Sequence, residues 1–156
     1  MQFANEKRQS FDLALSGYEL PRREWLYVRG QASDGSREWT FHHPCLTRRE
    51  VRDLAHWLRA VADGKTKRSE IEFLEPNLAF CKVGGEGSNA VIRVMFELEA
   101  RPPWNDRART DEDWRSLWLE FLLTPEQLRE AARDLGAQIE GLERQRWPFR
   151  LPPRVR

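Results

Sequence analysis

Two short runs of alternating apolar and acidic residues, joined by a Glu-Pro-Asn turn, constrain the fold more than any other part of the chain. Side chains of a β-strand point alternately to its two faces, so Ile71 and Phe73 share one face and Glu70 and Glu72 share the other. The proline of the turn cannot donate a ladder hydrogen bond, and asparagine tolerates turn geometry, so the two runs are predicted to be separate strands. The segment therefore predicts a β-hairpin with one face toward a core and one acidic face.

The length of the chain, 156 residues, is that of one compact domain with its own hydrophobic core. We expect a single domain over residues 1–156, with a core over about residues 10–143 and a basic C-terminal tail over residues 144–156. The net charge of +1 favours neither a nucleic-acid-binding protein nor an acidic tail protein. Seven tryptophans are many for this length, and their large amphipathic side chains suit an interface as well as a core.

The N-terminal residues and the cysteines bear on the compartment. Residues 1–10 are mostly polar and charged and show no signal peptide, and no apolar run approaches the roughly 20 residues that span a bilayer. Two cysteines, Cys45 and Cys81, do not make a disulfide framework. The sequence therefore predicts a cytoplasmic protein with reduced thiols and no membrane contact.

Two helices are predicted by capping residues together with apolar periodicity. Thr47 and Glu50 have the capping-box spacing, and an apolar stripe follows as far as Gly64, which suits the left-handed position after a last turn. A second helix is predicted to open at Thr124, with Pro125 at the first helical position, and to carry a stripe that continues through Leu142. The two stripes would cover one face of a sheet.

Further strands are predicted by alternation and by turn residues. A hairpin is expected to join a strand from Trp25 to Gln31 to a strand from Trp39 to His42, which Pro44 ends. The remaining strands are predicted at Phe11 to Leu15, Ala90 to Glu99 and Ser116 to Leu123, and a long polar loop is predicted from Arg101 to Asp113.

Runs of strands with short turns predict an α+β fold: an antiparallel β-sheet of about six to seven strands with two amphipathic helices packed on one face. The other face would be open to solvent, with an acidic surface that has an apolar component. A solvated face that tolerates apolar residues is the alternative. The residues predicted on this face are Glu70, Glu72, Glu97, Glu99 and Glu120, with Leu74, Val91, Met95, Trp118 and Leu122.

One short cluster has metal-ligand residue types. His42 and His43 are adjacent on a predicted strand and so point to opposite faces, and neither Cys45 nor the distant Cys81 completes a zinc-finger spacing. Ordinary packing of the cluster is therefore the prediction, with no metal and no cofactor. Since no nucleophile and base pair is evident either, we expect a protein that is not an enzyme.

Basic residues define an alternative function. They group around the first helix and in residues 144–156, where Trp147 and Phe149 are interleaved. Arginine and aromatic side chains can hold RNA through phosphates and stacking, so the tail predicts RNA binding as the second hypothesis. The near-neutral net charge makes nucleic acid the less favoured partner. The residues near the first helix are Arg48, Arg49, Arg52, Lys65, Lys67 and Arg68.

Several segments along the chain form a shared pattern. They run from Gly17-Tyr18-Glu19-Leu20-Pro21 and Trp25-Leu26-Tyr27-Val28, through a helix centred on Trp57-Leu58, to the closing Pro148-Phe149-Arg150. The most specific segment is Phe73-Leu74-Glu75-Pro76-Asn77-Leu78-Ala79-Phe80, and whether its Glu-Pro-Asn turn is functional or structural stays open. Together these segments resemble the WapI-like family of bacterial immunity proteins.

The resemblance implies an immunity-type binding protein that neutralises a contact-dependent toxin, such as a tRNA-cutting nuclease domain, by direct occlusion. It implies a cognate toxin domain as partner and no catalytic residues. Because nuclease toxins are usually basic, the acidic sheet face is the expected contact surface. The predicted partner-binding residues are Glu70, Glu72, Glu97, Glu99, Trp118 and Glu120.

Overall fold

The computed structural model describes residues 1–21, 24–105 and 117–145. Within them the chain forms eight strands and two α-helices, with a short 3-10 helix at Leu98–Ala100. The strands are β1 (Gln2–Ala4), β2 (Gln9–Tyr18), β3 (Trp25–Asp34), β4 (Glu38–Thr47), β5 (Glu70–Glu72), β6 (Leu78–Glu86), β7 (Asn89–Phe96) and β8 (Trp118–Leu123). Helix α1 is Arg48–Ala62, between β4 and β5, and helix α2 is Pro125–Gln145.

The strands form two four-stranded sheets, in the orders β1-β2-β3-β4 and β5-β6-β7-β8, and every pairing is antiparallel. The predicted α+β class, antiparallel pairing and two helices are confirmed. The prediction of one sheet with six to seven strands is corrected to two sheets of four. Strands β1 and β8 lie near each other but form no ladder, and Asn5, just after β1, donates from Nδ2 to the Glu120 carbonyl oxygen over 2.8 Å.

Aromatic rings join the inner faces of the two sheets. Phe11 on β2 is fully buried, and its ring lies 5.4 Å from that of Phe96 and 6.2 Å from that of Phe80, both in the second sheet. Phe3 on β1 packs 5.6 Å from Phe121 on β8. The two sheets therefore share one core, and their outer faces point away from each other.

Both helices begin at the predicted capping boxes. The Glu50 backbone N–H donates to Thr47 Oγ1 over 3.2 Å, and Thr47 N–H donates to the Glu50 carboxylate over 2.7 Å. Thr124 and Gln127 make the same pair of bonds at α2. The predicted apolar stripes are buried, and arginine–carboxylate pairs such as that of Arg129 with Asp63, 2.8 Å apart, link the two helices.

The two predicted hairpins form, but two strand ends differ from the prediction. Strand β4 continues through Pro44 to Thr47, since β4 is an edge strand in the described part of the chain, where proline is tolerated. Strand β7 ends at Phe96 rather than Glu99, because Leu98 adopts a left-handed backbone conformation with a φ of 50° and a 3-10 turn follows. Strand β1 was not predicted, since three residues carry too little alternation.

Replacement of Gly30 by alanine is expected to destabilise the first sheet. A Cβ atom at this buried position in β3 would overlap the Phe41 ring on β4, which is itself buried. We expect the free energy of unfolding to fall by about 1–3 kcal/mol in urea titrations, the usual cost of overpacking. Gly84→Ala is the matched control, because a Cβ there meets no atom of the described residues within 4 Å. Equal stability of the two variants would contradict the packing of Phe41 on Gly30.

Candidate functional site

The outer face of the second sheet carries three cross-strand rows of side chains, which we call the acidic face. Residues directly opposite each other on antiparallel strands share a face, so the register defines each row. The first row is Glu70, Cys81, Arg93 and Glu120; the second is Glu72, Ala79, Met95 and Trp118; the third contains Val91 and Leu122. These rows bring four of the six predicted binding residues, Glu70, Glu72, Trp118 and Glu120, onto one surface.

An arginine organises the middle of the acidic face. Arg93 donates two hydrogen bonds to Glu120 Oε1, of 2.9 and 2.6 Å, and its guanidinium lies 4.6 Å from the centre of the Trp118 ring. This contact combines an ion pair with a cation–π interaction and holds the indole in place. The predicted acidic surface is therefore partly neutralised: its rows carry three carboxylates and one guanidinium.

The same surface exposes large apolar side chains at β8. Trp118 is 41% exposed and Leu122 is 48% exposed, whereas Val91 beside them is half-buried. They border a groove of about 550 Å³ between β8 and the β1–β2 turn. Exposed aromatic and aliphatic groups next to carboxylates are what a protein partner with basic and hydrophobic contacts requires.

Glu97 and Glu99, the other two predicted binding residues, lie beyond the end of β7 and not on the rows. Glu97 is only 3% exposed, and its carboxylate accepts hydrogen bonds of 3.0 and 3.1 Å from Arg101. The prediction that Glu97 lies on the open face is therefore wrong. Met95 was predicted on that face as well; it belongs to the second row but is 5% exposed.

Glu99 is exposed and belongs to a separate polar cluster at the Glu-Pro-Asn turn. Its carboxylate accepts a 2.8 Å hydrogen bond from Asn77 Nδ2 and lies 3.9 Å from His43 Nε2. The pKa of Glu99 lies below its usual value mainly because of the hydrogen bond from Asn77, and the electrostatic effect of His43 lowers it further. Asn77 is fully buried, and its Oδ1 has no hydrogen-bond partner among the residues that the structure describes.

The histidine and cysteine residues of β4 that cluster in the sequence lie in different environments. His42 is exposed, lies 2.8 Å from Ser16 Oγ and stacks on Tyr27, whereas Cys45 is buried in the core. Within residues 1–21, 24–105 and 117–145, no three His, Cys, Asp or Glu side chains are grouped closely enough to hold a metal ion.

The two thiols are expected to differ strongly in reactivity. Burial raises the pKa of Cys45 to about 12, with smaller effects from nearby glutamates. Cys45 is therefore almost entirely in the thiol form at pH 8, and the thiolate is the form that attacks iodoacetamide. Cys81 is half-buried, and its pKa is raised less. We expect mass spectrometry to find Cys81 alkylated in native buffer and Cys45 only in urea. Rapid native alkylation of a Cys81→Ser variant would contradict this.

Basic residues near the first helix have partners within the fold. Arg48 and Arg52 lie 2.9 and 3.2 Å from the same Glu143 oxygen on α2, and Arg49 lies 3.7 Å from Asp53. Three of the six basic residues near the first helix are therefore in ion pairs. Arg48 and Arg52 pair with the other helix, and Arg49 pairs within α1. Residues 146–156, which carry most of the tail, lie outside the described residues, so RNA binding by the tail stays a prediction.

Together these features define a small α+β protein with an acidic and aromatic sheet face. The family model described as "Immunity protein WapI-like family" matches residues 2–143, and the chain therefore belongs to this family of immunity proteins. No curated protein and no solved structure matches the chain. Over the described residues, neither helix has the length and apolar character needed to cross a membrane.

Proposed function

We propose that this chain neutralises a cognate toxin domain by binding it through the acidic face and occluding its active surface. The family supplies the class of function, and the observation that supports this particular surface is the exposed Trp118, whose ring contacts the same Arg93 guanidinium that binds Glu120. Interfaces are enriched in tryptophan, and a few anchors of this kind carry most of the binding energy.

The charges on the acidic face fit a basic partner. Glu72 is exposed at one end of the second row, Trp118 lies at the other end, and Glu120 is half-buried beside it. Both Arg93 bonds go to Glu120 Oε1, so the second oxygen can accept a donor from a partner. A toxin that cuts RNA needs a positive surface for phosphates, and this face would compete for that surface.

The proposal includes a cytoplasmic site of action and a protein partner, and assigns the chain no catalytic step and no cofactor. Occlusion needs only that the complex be long-lived and that the contact surface overlap the toxin's substrate site. The slow dissociation of well-packed interfaces suits this requirement.

The test is protection from toxin during co-expression. The chain is expressed with toxin domains encoded beside its gene, and growth and binding are compared for wild type, Glu72→Lys and Glu38→Lys. Glu38 is an exposed carboxylate on β4, far along the chain from the acidic face, and serves as the matched control. We expect Glu72→Lys to weaken binding about tenfold, mainly through slower association, and Glu38→Lys to leave it unchanged. Failure of every adjacent toxin domain to bind the wild-type chain would overturn the proposal.

A further inference from the structure

The β1–β2 turn, residues 5–8, is fixed in place by one side chain. Asn5 Oδ1 accepts hydrogen bonds from the backbone N–H groups of Lys7 and Gln9, over 3.0 and 3.1 Å. Asn5 Nδ2 donates to Gln9 Oε1 and to the Glu120 carbonyl oxygen, each over 2.8 Å. A side-chain amide has two donor and two acceptor positions, so the fold uses all four positions of Asn5. This side chain therefore ties a turn of the first sheet to strand β8 of the second sheet.

The turn between β3 and β4 supports the β1–β2 turn from another side. Gly35 lies so close to the Lys7 carbonyl oxygen that a Cβ atom at Gly35 would be 2.5 Å from it. Arg8 has a left-handed backbone, with a φ of 60°, and its N–H donates to the Asn5 carbonyl oxygen over 3.2 Å. This backbone conformation is uncommon for residues other than glycine. The contacts around the turn therefore hold it in one defined shape.

The β1–β2 turn forms one wall of the groove of about 550 Å³, and β8 forms the other. The charges of the lining residues nearly balance, because Glu6 and Lys7 have opposite signs and Glu120 is paired with Arg93. A groove with balanced charges and several apolar side chains favours an apolar group over an ion. The apolar lining residues are Ala4, Val91, Trp118 and Leu122.

We infer that this groove receives one large apolar side chain of the toxin domain, and that Asn5 is the positioning residue that holds one of its walls. The inference rests on the proposed function and extends the contact surface to the first sheet. The groove is continuous with the acidic face, since Trp118, Glu120 and Leu122 belong to both. An apolar centre with a charged rim is the arrangement that carries most of the binding energy in protein interfaces. A turn that is ordered before binding loses little conformational entropy when the partner covers it.

The first test makes the groove polar by changing one lining residue. Leu122 is 48% exposed, so polar replacements there leave the core intact. We expect Leu122→Asn and Leu122→Asp each to weaken the toxin complex about tenfold in equilibrium titrations. A basic occupant would instead bind Leu122→Asp more tightly than Leu122→Asn. That result, or unchanged affinity of both variants, would overturn the inference. Leu20→Asp is the matched control and is expected to leave affinity unchanged, because Leu20 is 69% exposed and follows the end of β2 that is remote from the β1–β2 turn.

The second test releases the β1–β2 turn from β8. Serine at position 5 can still accept hydrogen bonds from the N–H groups of the turn, but it is too short to replace the Nδ2 donor at Glu120. We expect Asn5→Ser to weaken the toxin complex about fivefold. The double variant of Asn5→Ser with Leu122→Asn is expected to lose less than the product of the two single losses, because both changes act on the same contact. Losses that multiply would show that Asn5 only stabilises the fold and would overturn its positioning role.

The same titrations distinguish failure of this inference from failure of the proposed function. A complex that is weakened by Glu72→Lys but unaffected by the Leu122 variants would refute the groove and leave the proposed function standing. No complex with the wild-type chain would refute the proposed function and, with it, this inference.

Discussion

Trp118→Ala is expected to weaken toxin binding by about 30-fold or more, which corresponds to about 2 kcal/mol. The indole is the largest exposed apolar group on the acidic face, and the Arg93 guanidinium 4.6 Å from its centre holds it in one orientation. An anchor that is ordered before binding loses little conformational entropy when the partner covers it. Isothermal titration calorimetry with the toxin domain measures the change.

The matched control for this prediction is Trp104→Ala. Trp104 is 38% exposed, has the Arg37 guanidinium 4.5 Å from its ring centre, and packs on Trp39 of the first sheet. The two tryptophans thus share exposure and cation–π geometry but contact different sheets. We expect Trp104→Ala to leave affinity within about twofold of wild type. Equal losses for both variants would point to a general stability effect and contradict the assignment of Trp118 as an anchor.

Phe11→Ala is expected to cost about 3–5 kcal/mol of folding free energy, the largest stability effect that we predict for one substitution. The ring is fully buried and touches Phe80 and Phe96 of the other sheet, as well as Phe3 at 6.5 Å. Its removal leaves a cavity where the two sheets meet, and the surrounding residues relax into such a cavity only partly. Urea denaturation measures this loss, and the free energy of unfolding of a typical protein is about 5–15 kcal/mol in total.

Phe11→Leu separates cavity formation from loss of the aromatic ring, since leucine keeps most of the buried apolar volume. We expect it to cost clearly less than Phe11→Ala, with both variants keeping the same dependence on urea concentration. A cost below about 1 kcal/mol for the alanine variant would show that the sheets do not depend on this ring for their packing.

The local elements could be predicted because their signals lie close together in sequence. Thr47 with Glu50, and Thr124 with Gln127, identify helix starts within four residues, and both capping boxes form. The Glu-Pro-Asn hairpin is equally local. The division into two sheets depends on which strands meet across the chain, and the three residues of β1 give no periodic signal for that.

The acidic face was predicted as far as alternation holds, and the prediction failed where the backbone leaves the strand. Glu70, Glu72, Trp118 and Glu120 keep the period of two and reach one surface. A left-handed backbone is uncommon for residues other than glycine, so nothing in the local pattern signals the one at Leu98 that withdraws Glu97. The four-residue spacing of Glu97 and Arg101 was the available hint of an ion pair in a turn.

The pairing of Arg93 with Glu120 depends on the register of β7 and β8, which alternation alone does not fix.

The most direct test of the central claim is a cross-saturation NMR experiment on the toxin complex. Protons of the unlabelled toxin domain are saturated, and attenuation is read at methyl and indole signals of the deuterated chain. The account predicts attenuation at Trp118, Leu122 and Val91 on the acidic face, and none at Ala14 on β2 of the first sheet. Attenuation at Ala14 with unchanged signals at Trp118 and Leu122 would show that the toxin binds elsewhere and would contradict the account.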